Sequence, residues 1–279
     1  MLIVSVLSVS NALAQQECAA PPPSNENLLV KHDFYINGSW VPPVPPQQTL
    51  QVIDPSTAEP VASISLGNQA DVGLAVAAAR EAFESFWAYE TTPKQRGEYI
   101  EKLLEIYMQR RDEMAQLISL EMGAPIDMAR HSQVGSGTYW IQSFLDELED
   151  FKFERTVHDA TTILMDPIGV VALITPWNWP MNQVILKVIP ALAVGCTCIL
   201  KPSELAPLSS LLFAEMIHDA GFPPGVFNLV NGDGAGVGSQ LSGHPGVDMV
   251  SFTGSTRAGA LVSKAAADTF KRVTLELGM

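Results

Sequence analysis

The chain has 279 residues, 47% of them hydrophobic and 16% charged, with a formal net charge of −14. That size and apolar content suffice for one large domain or two ordinary ones, and the acidic balance works against binding nucleic acid or an anionic membrane face. The three cysteines, Cys18, Cys196 and Cys198, form no even framework of the kind that staples small secreted domains.

The N-terminus is unlike the rest. Residues Leu2–Val9 are apolar, Ala12-x-Ala14 resembles a signal-peptidase site, and a polar, Pro-rich linker follows, so residues 1–30 read as a leader or linker. The run lacks a basic start and is shorter than the about 20 apolar residues that cross a bilayer. A misassigned start codon gives the same appearance. A cytoplasmic protein is the preferred expectation, with secretion through residues 1–14 left open.

Asp33–Val41 alternates around Asn37-Gly38 and predicts a hairpin, followed by an extended piece at Thr49–Asp54. Asn68 is placed to cap a helix over Gln69–Tyr89. Pro93 opens another, whose apolar stripe runs from Ile100 to Ile118. Gly123-Ala124-Pro125 interrupts it before a third helix reaching Glu149.

From Asp166 the pattern becomes strand–helix alternation. Strands are expected at Ile168–Ile174, Thr197–Leu200, Val226–Val230, Met249–Phe252 and Arg272–Leu277, with helices at Asn182–Val194, Leu208–Ala220, Val237–Leu241 and Ala258–Ala267 between them. Unbroken apolar strands separated by amphipathic helices predict an α/β fold with a doubly wound parallel sheet, whose ligands sit where the strands end. Cys196 and Cys198 share one buried face of such a strand, without the partners a metal site requires. No metal is expected.

The strand-end loops carry the unusual residues. After the first strand, in Thr175-Pro176-Trp177-Asn178-Trp179-Pro180, the Asn178 amide either caps the next helix or faces a developing oxyanion. After the second, Lys201-Pro202-Ser203-Glu204 offers a carboxylate for the two hydroxyls of a ribose, which would repel a 2′-phosphate. A solvated ion pair is the alternative. After the third, Gly232 to Gly238 is a glycine-rich turn in which backbone N–H groups can approach a pyrophosphate, or simply a flexible turn. After the fourth, Phe252-Thr253-Gly254-Ser255 opens a helix that Ser255 can cap. Glu276 ends the last strand, and a carboxylate in an apolar strand end is a candidate general base with a raised pKa, or a simple strand-end charge.

TPWNWP, KPSE, the glycine-rich turn, FTGST and ELG, in this order and spacing, resemble the aldehyde dehydrogenase superfamily over His32–Gly278. The resemblance implies a Rossmann-like NAD domain formed by residues 31–150 and 167–279, interrupted by an oligomerisation hairpin at 151–166. It implies oxidation of an aldehyde to a carboxylic acid through a thiohemiacetal and a thioester, with NAD as cofactor and NADP disfavoured by Glu204. Asn178 would serve the oxyanion and Glu276 would activate the hydrolytic water. Lys201 and Glu204 would hold the adenosine ribose. Gly234, Gly238, Gly254 and Ser255 would line the pyrophosphate and adenine side, and Thr175 and Trp177 the nicotinamide end. Pro176, Ser203, Phe252, Thr253 and Leu277 complete the cofactor-contacting set, and Trp179, Gln183 and Leu186 fall where the family lines its aldehyde tunnel. The implied partners are an aldehyde and further copies of the chain, with neither nucleic acid nor membrane.

The sequence departs from the family at Met279, which follows Glu276-Leu277-Gly278 where a second glycine, and later a nucleophilic cysteine, are expected. The catalytic domain is therefore expected to be absent from these 279 residues, and the chain to be inactive alone. A non-catalytic NAD-binding or oligomerisation module is the alternative.

Overall fold

The computed structural model describes residues 28–157 and 161–278. The signal-like stretch, Cys18 and the tip of the 151–166 hairpin lie outside the described residues.

Among the described residues, β1 (Leu29–Lys31), β4 (Gln48–Asp54) and β5 (Glu59–Leu66) make a small sheet in the order β1-β5-β4. Strands β2 (Phe34–Ile36) and β3 (Ser39–Val41) are the expected hairpin. Its turn residues Asn37 and Gly38 have φ of 52° and 75°, the left-handed pair that suits strand twist. The hairpin does not stand apart, because β2 pairs antiparallel with β10 (Phe227–Leu229) and extends the main sheet.

That sheet has seven strands in the order β12-β11-β8-β9-β10-β2-β3. Its parallel part comprises β8 (Val170–Ile174), β9 (Thr197–Lys201), β10, β11 (Met249–Gly254) and β12 (Arg272–Leu277). The chain steps outward from β8 to β9 and β10, then returns across β8 to β11 and β12. The order therefore reverses between β8 and β11. Strands β8 and β9 bury every residue, as their unbroken apolar sequences require. Val170, Ala172, Ile174 and Ile199 pack into one core with α1 (Gln69–Ala82), α8 (Ser239–Gly243) and α9 (Thr256–Ala267). Val171, Leu173, Cys198 and Leu200 pack into the other with α6 (Pro180–Ala193) and α7 (Leu208–Asp219), backed by α2 (Pro93–Gln109), α3 (Arg111–Met122) and α5 (Val134–Asp150). Cys196 joins Cys198 on this second side, as the i, i+2 spacing predicts.

Several boundaries differ from the sequence reading. Asn68 caps α1 with a full capping box to Asp71, but the regular helix ends at Ala82 and a wide turn, Phe83–Trp87, carries Trp87 into the core. The stripe from Ile100 to Ile118 is two helices. They break at Arg110, whose guanidinium turns aside to Glu113 at 2.7 Å and Glu215 at 2.9 Å. A short turn of helix, α4 (Ile126–Met128), and a wide turn, Ala129–Gln133, lead into α5. The helix expected at Val237 starts at Ser239, after a wide turn over Gly234–Gly238. Strand β5 has no counterpart in the sequence reading, because Pro60 and the serines of EPVASISL dilute the alternation. Glu154–Val157 (β6) and Thr161–Leu164 (β7) form an isolated antiparallel pair.

Candidate functional site

The strand-end loops converge on one edge of the sheet. In a doubly wound sheet, ligands bind beyond the carboxyl ends of the strands where the order reverses. Here that point lies between Thr175, which follows β8, and Ser255, which follows β11.

Thr175 is buried, and its N–H donates to the Lys201 carbonyl at 3.2 Å, strapping the first loop to the second. Pro176 is buried, whereas Trp177 is 47% exposed, so the loop is open to solvent on one side. Asn178 does not cap α6. Trp179 holds the cap position without a side-chain bond, and Pro180 occupies the first turn. The Asn178 Oδ1 is buried without a partner, while its backbone carbonyl accepts from Gln133 Nε2 at 3.3 Å. The half-buried Asn178 amide, released from capping, is free to present its N–H to a ligand. The Gln183 side-chain oxygen is likewise buried and unpartnered, one turn further on.

In the second loop, Lys201 Nζ meets Glu204 Oε2 at 2.9 Å. Lys201 is buried and Glu204 partly exposed, so this is a directed pair at the sheet edge and not a fully solvated one. Ser203 shapes the turn, its Oγ accepting from Leu205 N–H at 3.3 Å.

The glycine-rich turn closes on itself. Asp233 accepts from Gly236 N–H through its side chain and from Gly238 N–H through its carbonyl at 3.1 Å. These two N–H groups are therefore not available to a phosphate. Gly234 is exposed, and a Cβ there would meet open space, so this turn leaves room beside the edge of the sheet.

Ser255 caps α9, accepting from Ala258 N–H at 3.2 Å, so this helix begins at the reversal point with the N–H groups of Thr256 and Arg257 lacking intrahelical partners. Gly254 is required by its neighbour, since a Cβ would lie 2.6 Å from the Phe252 ring. Phe252 and Thr253 are themselves buried.

Glu276 departs most from expectation. Strand β12 is largely exposed, the Glu276 side chain is 60% exposed, and the site is polar and not apolar. Thr253 Oγ1 donates to its Oε2 at 2.9 Å, and Lys187 Nζ lies 3.5 Å from its Oε1. Lys187 is the participant that sequence reasoning missed. Its side chain is only 3% exposed on α6, and its ammonium also donates to Ser251 Oγ at 3.1 Å. Burial lowers its pKa, partly offset by the attraction of Glu276. A lone lysine within MNQVILKVIPALA was the available signal. Leu277 is exposed on its outer side and packs on Gly259 of α9, where a Cβ would lie 2.5 Å from Leu277 Cδ2.

Lys187 and Leu186 line an apolar cleft of about 410 Å³ between α6 and the base of the hairpin, with Phe151, Phe153 and Met165 on the far wall. Trp179 and Gln183 do not contribute to it. Among the described residues no group of three His, Cys, Asp or Glu side chains is placed to hold a metal ion, and no helix is long and apolar enough to cross a membrane.

The fold and this edge define a Rossmann-like α/β domain with its loops gathered at the strand-order reversal. The sequence profile of the aldehyde dehydrogenase family matches residues 40–279, and the chain belongs to that family. It is 51% identical over 247 residues to a 3-succinoylsemialdehyde-pyridine dehydrogenase from a Pseudomonas species, covering 88% of this chain and 51% of the relative. The crystal structure of an aldehyde dehydrogenase from Bartonella henselae superposes with a TM-score of 0.87 at 55% identity, over 90% of this chain and 53% of that one. A Pseudomonas syringae aldehyde dehydrogenase C mutant, crystallised with NAD+ and octanal, superposes with a TM-score of 0.86 at 53% identity, over 88% of this chain and 50% of that one. The chain thus spans about half the length of the curated relatives it matches.

Proposed function

We propose that this chain forms the NAD-binding portion of an aldehyde dehydrogenase, with the dinucleotide across the C-terminal ends of β9, β8 and β11. The observation that carries the reading is that Thr175, Lys201, Glu204 and Ser255 share one sheet edge at the reversal of strand order. The donor set suits such a ligand. The Lys201–Glu204 pair offers a carboxylate to ribose hydroxyls, and the start of α9 offers N–H groups to a pyrophosphate. The buried Asn231 amide just beyond β10, with neither polar atom partnered, leaves further polar capacity at this edge. The Pseudomonas syringae relative, crystallised with NAD+, supports the same choice. A 2′-phosphate would meet the Glu204 carboxylate, so the reading selects NAD over NADP.

When bound, NAD would supply a hydride acceptor beside the Thr175–Trp177 loop. Asn178 would donate its amide N–H to the aldehyde oxygen as negative charge develops there. Glu276, held by Thr253 and Lys187, would take the proton of the hydrolytic water. Trp179, Gln183 and Leu186 would border the aldehyde's approach. Residues 31–150 and 167–279 would form the NAD domain, and the 151–166 hairpin would pair copies of the chain into a homo-oligomer. A cytoplasmic location accompanies this reading, and an intact mass lower by residues 1–14 would overturn it in favour of a cleaved leader.

One observation favours a second reading, an NAD-binding module without turnover of its own. Both described cysteines are buried, and burial pushes the thiols of Cys196 and Cys198 up, away from the thiolate a nucleophile needs. Calorimetric titration of NAD and NADP into the 279-residue protein, followed by an absorbance assay for NADH with a simple aldehyde, tests both. The expected result is NAD binding tighter than NADP binding, without NADH. Failure to bind NAD overturns the first reading, and NADH production overturns the second.

A further inference from the structure

Helix α7 begins without a cap of its own. Its cap position is Pro207, which has no side-chain acceptor, and its first residues, Leu208 and Ser209, are buried. Their donors are satisfied by α3. Glu121 Oε2 accepts from Leu208 N–H, and Oε1 accepts from Ser209 N–H at 3.1 Å and from the Ser209 hydroxyl. Glu121 is 3% exposed, so water has no ready access to replace it.

What hangs from this joint is the second strand-end loop. Lys201 is fixed in β9, at the centre of the sheet. Glu204 lies on the Pro202–Pro207 connection, whose far end is the start of α7. The connection's internal bonds, from Ala206 N–H to the Ser203 carbonyl at 3.1 Å and from Leu205 N–H to Ser203 Oγ at 3.3 Å, shape its turn, and Pro202, Ser203, Ala206 and Pro207 are buried while Glu204 and Leu205 are not.

We propose that Glu121 is a positioning residue for the adenosine-ribose clamp, fixing the start of α7 and thereby the place of Glu204 opposite Lys201. The proposal rests on the reading of Lys201 and Glu204 as that clamp. Glu121 acts through the backbone of Leu208 and Ser209 and touches no cofactor. An amide in its place can satisfy at most two of the three donors and leaves one buried N–H without a partner.

The test is titration of ADP-ribose and 2′-phospho-ADP-ribose into the full chain and into Glu121→Gln, Ser209→Ala and Ile141→Ala. The last is a cavity variant in the core face of α5 that controls for general destabilisation. Glu121→Gln should bind ADP-ribose about tenfold more weakly, because the ligand must then select the minority of chains in which the start of α7, and Glu204 with it, stands where the parent holds it. It should also discriminate less between the two ligands, because a displaced Glu204 no longer opposes the 2′-phosphate. Ser209→Ala should move affinity and discrimination in the same direction by less. Ile141→Ala should lower the melting temperature while keeping the parent's discrimination. Unchanged binding in both α7-joint variants, or equal loss for the two ligands, overturns the positioning role. If Glu121→Gln does not fold, Ser209→Ala decides alone. A parent chain that binds neither ligand overturns the clamp reading itself, and the proposal with it.

Discussion

The two sides of the parallel sheet are built differently. Strands β8 and β9 bury all their residues between two cores, whereas β12, two places from β8, exposes most of its length and pairs only with β11 among the described residues. Lys201 sits on the closed side, fixed by burial in β9, with the partly exposed Glu204 paired to it at 2.9 Å. Glu276 sits on the open side, where Thr253 and Lys187 hold it instead. A site spread over both sides draws its precision from two sources, core packing and side-chain pairing.

The contrast can be broken most directly by cutting into the closed side. Phe227 on β10 is buried against Tyr35 and Phe213, and Phe227→Ala should cost about 3–5 kcal/mol in urea denaturation. A cost below about 1 kcal/mol, as for a surface change, would erase the distinction.

The next effect is set by pH. Burial pushes the Glu121 carboxyl up to about 7, against the hydrogen bonds from Ser209 and Leu208 that pull it down. The folded pKa therefore lies above the unfolded value of 4.5, so the stability this carboxyl contributes is full below pH 4.5 and is lost as pH rises through about 7. Relative to Glu121→Gln, the parent should lose about 3 kcal/mol between those limits. A parallel pH dependence in the two proteins would contradict it.

Lys187 offers a gentler probe. Its lowered pKa means that the buried ammonium burdens the fold at neutral pH, and that the burden lifts as pH rises through the folded pKa toward 10.5. Lys187→Met should be modestly more stable than the parent at pH 7, with the difference shrinking at alkaline pH. A less stable variant would mean that the bonds to Ser251 and Glu276 outweigh burial. The smallest change expected is Glu276→Gln, which removes an exposed partner at 3.5 Å and should shift stability by less than about 1 kcal/mol.

The closed side was the legible side. VVALI and TCILK read as buried strands because nothing polar interrupts them, and the Asn37-Gly38 turn and the Asn68 cap are local signals that tertiary structure left intact. The order of loops along the chain located the candidate edge. What stayed hidden depends on distant partners. Pairing of β2 with β10, the Arg110 break fixed by Glu215, the joint between Glu121 and α7, and the Lys187–Glu276 pair all join residues far apart in sequence. The closure of Gly236 and Gly238 on Asp233 was hidden for another reason, since a glycine-rich turn leaves many backbone paths open.

The central claim is that the edge at the strand-order reversal holds the cofactor, and a crystal structure of the chain with ADP-ribose tests it most directly. The account predicts the adenosine ribose hydroxyls on Glu204 and Lys201 and the phosphates at the Ser255 end of α9. Density for the ligand elsewhere, as in the apolar cleft beside Leu186, would contradict it.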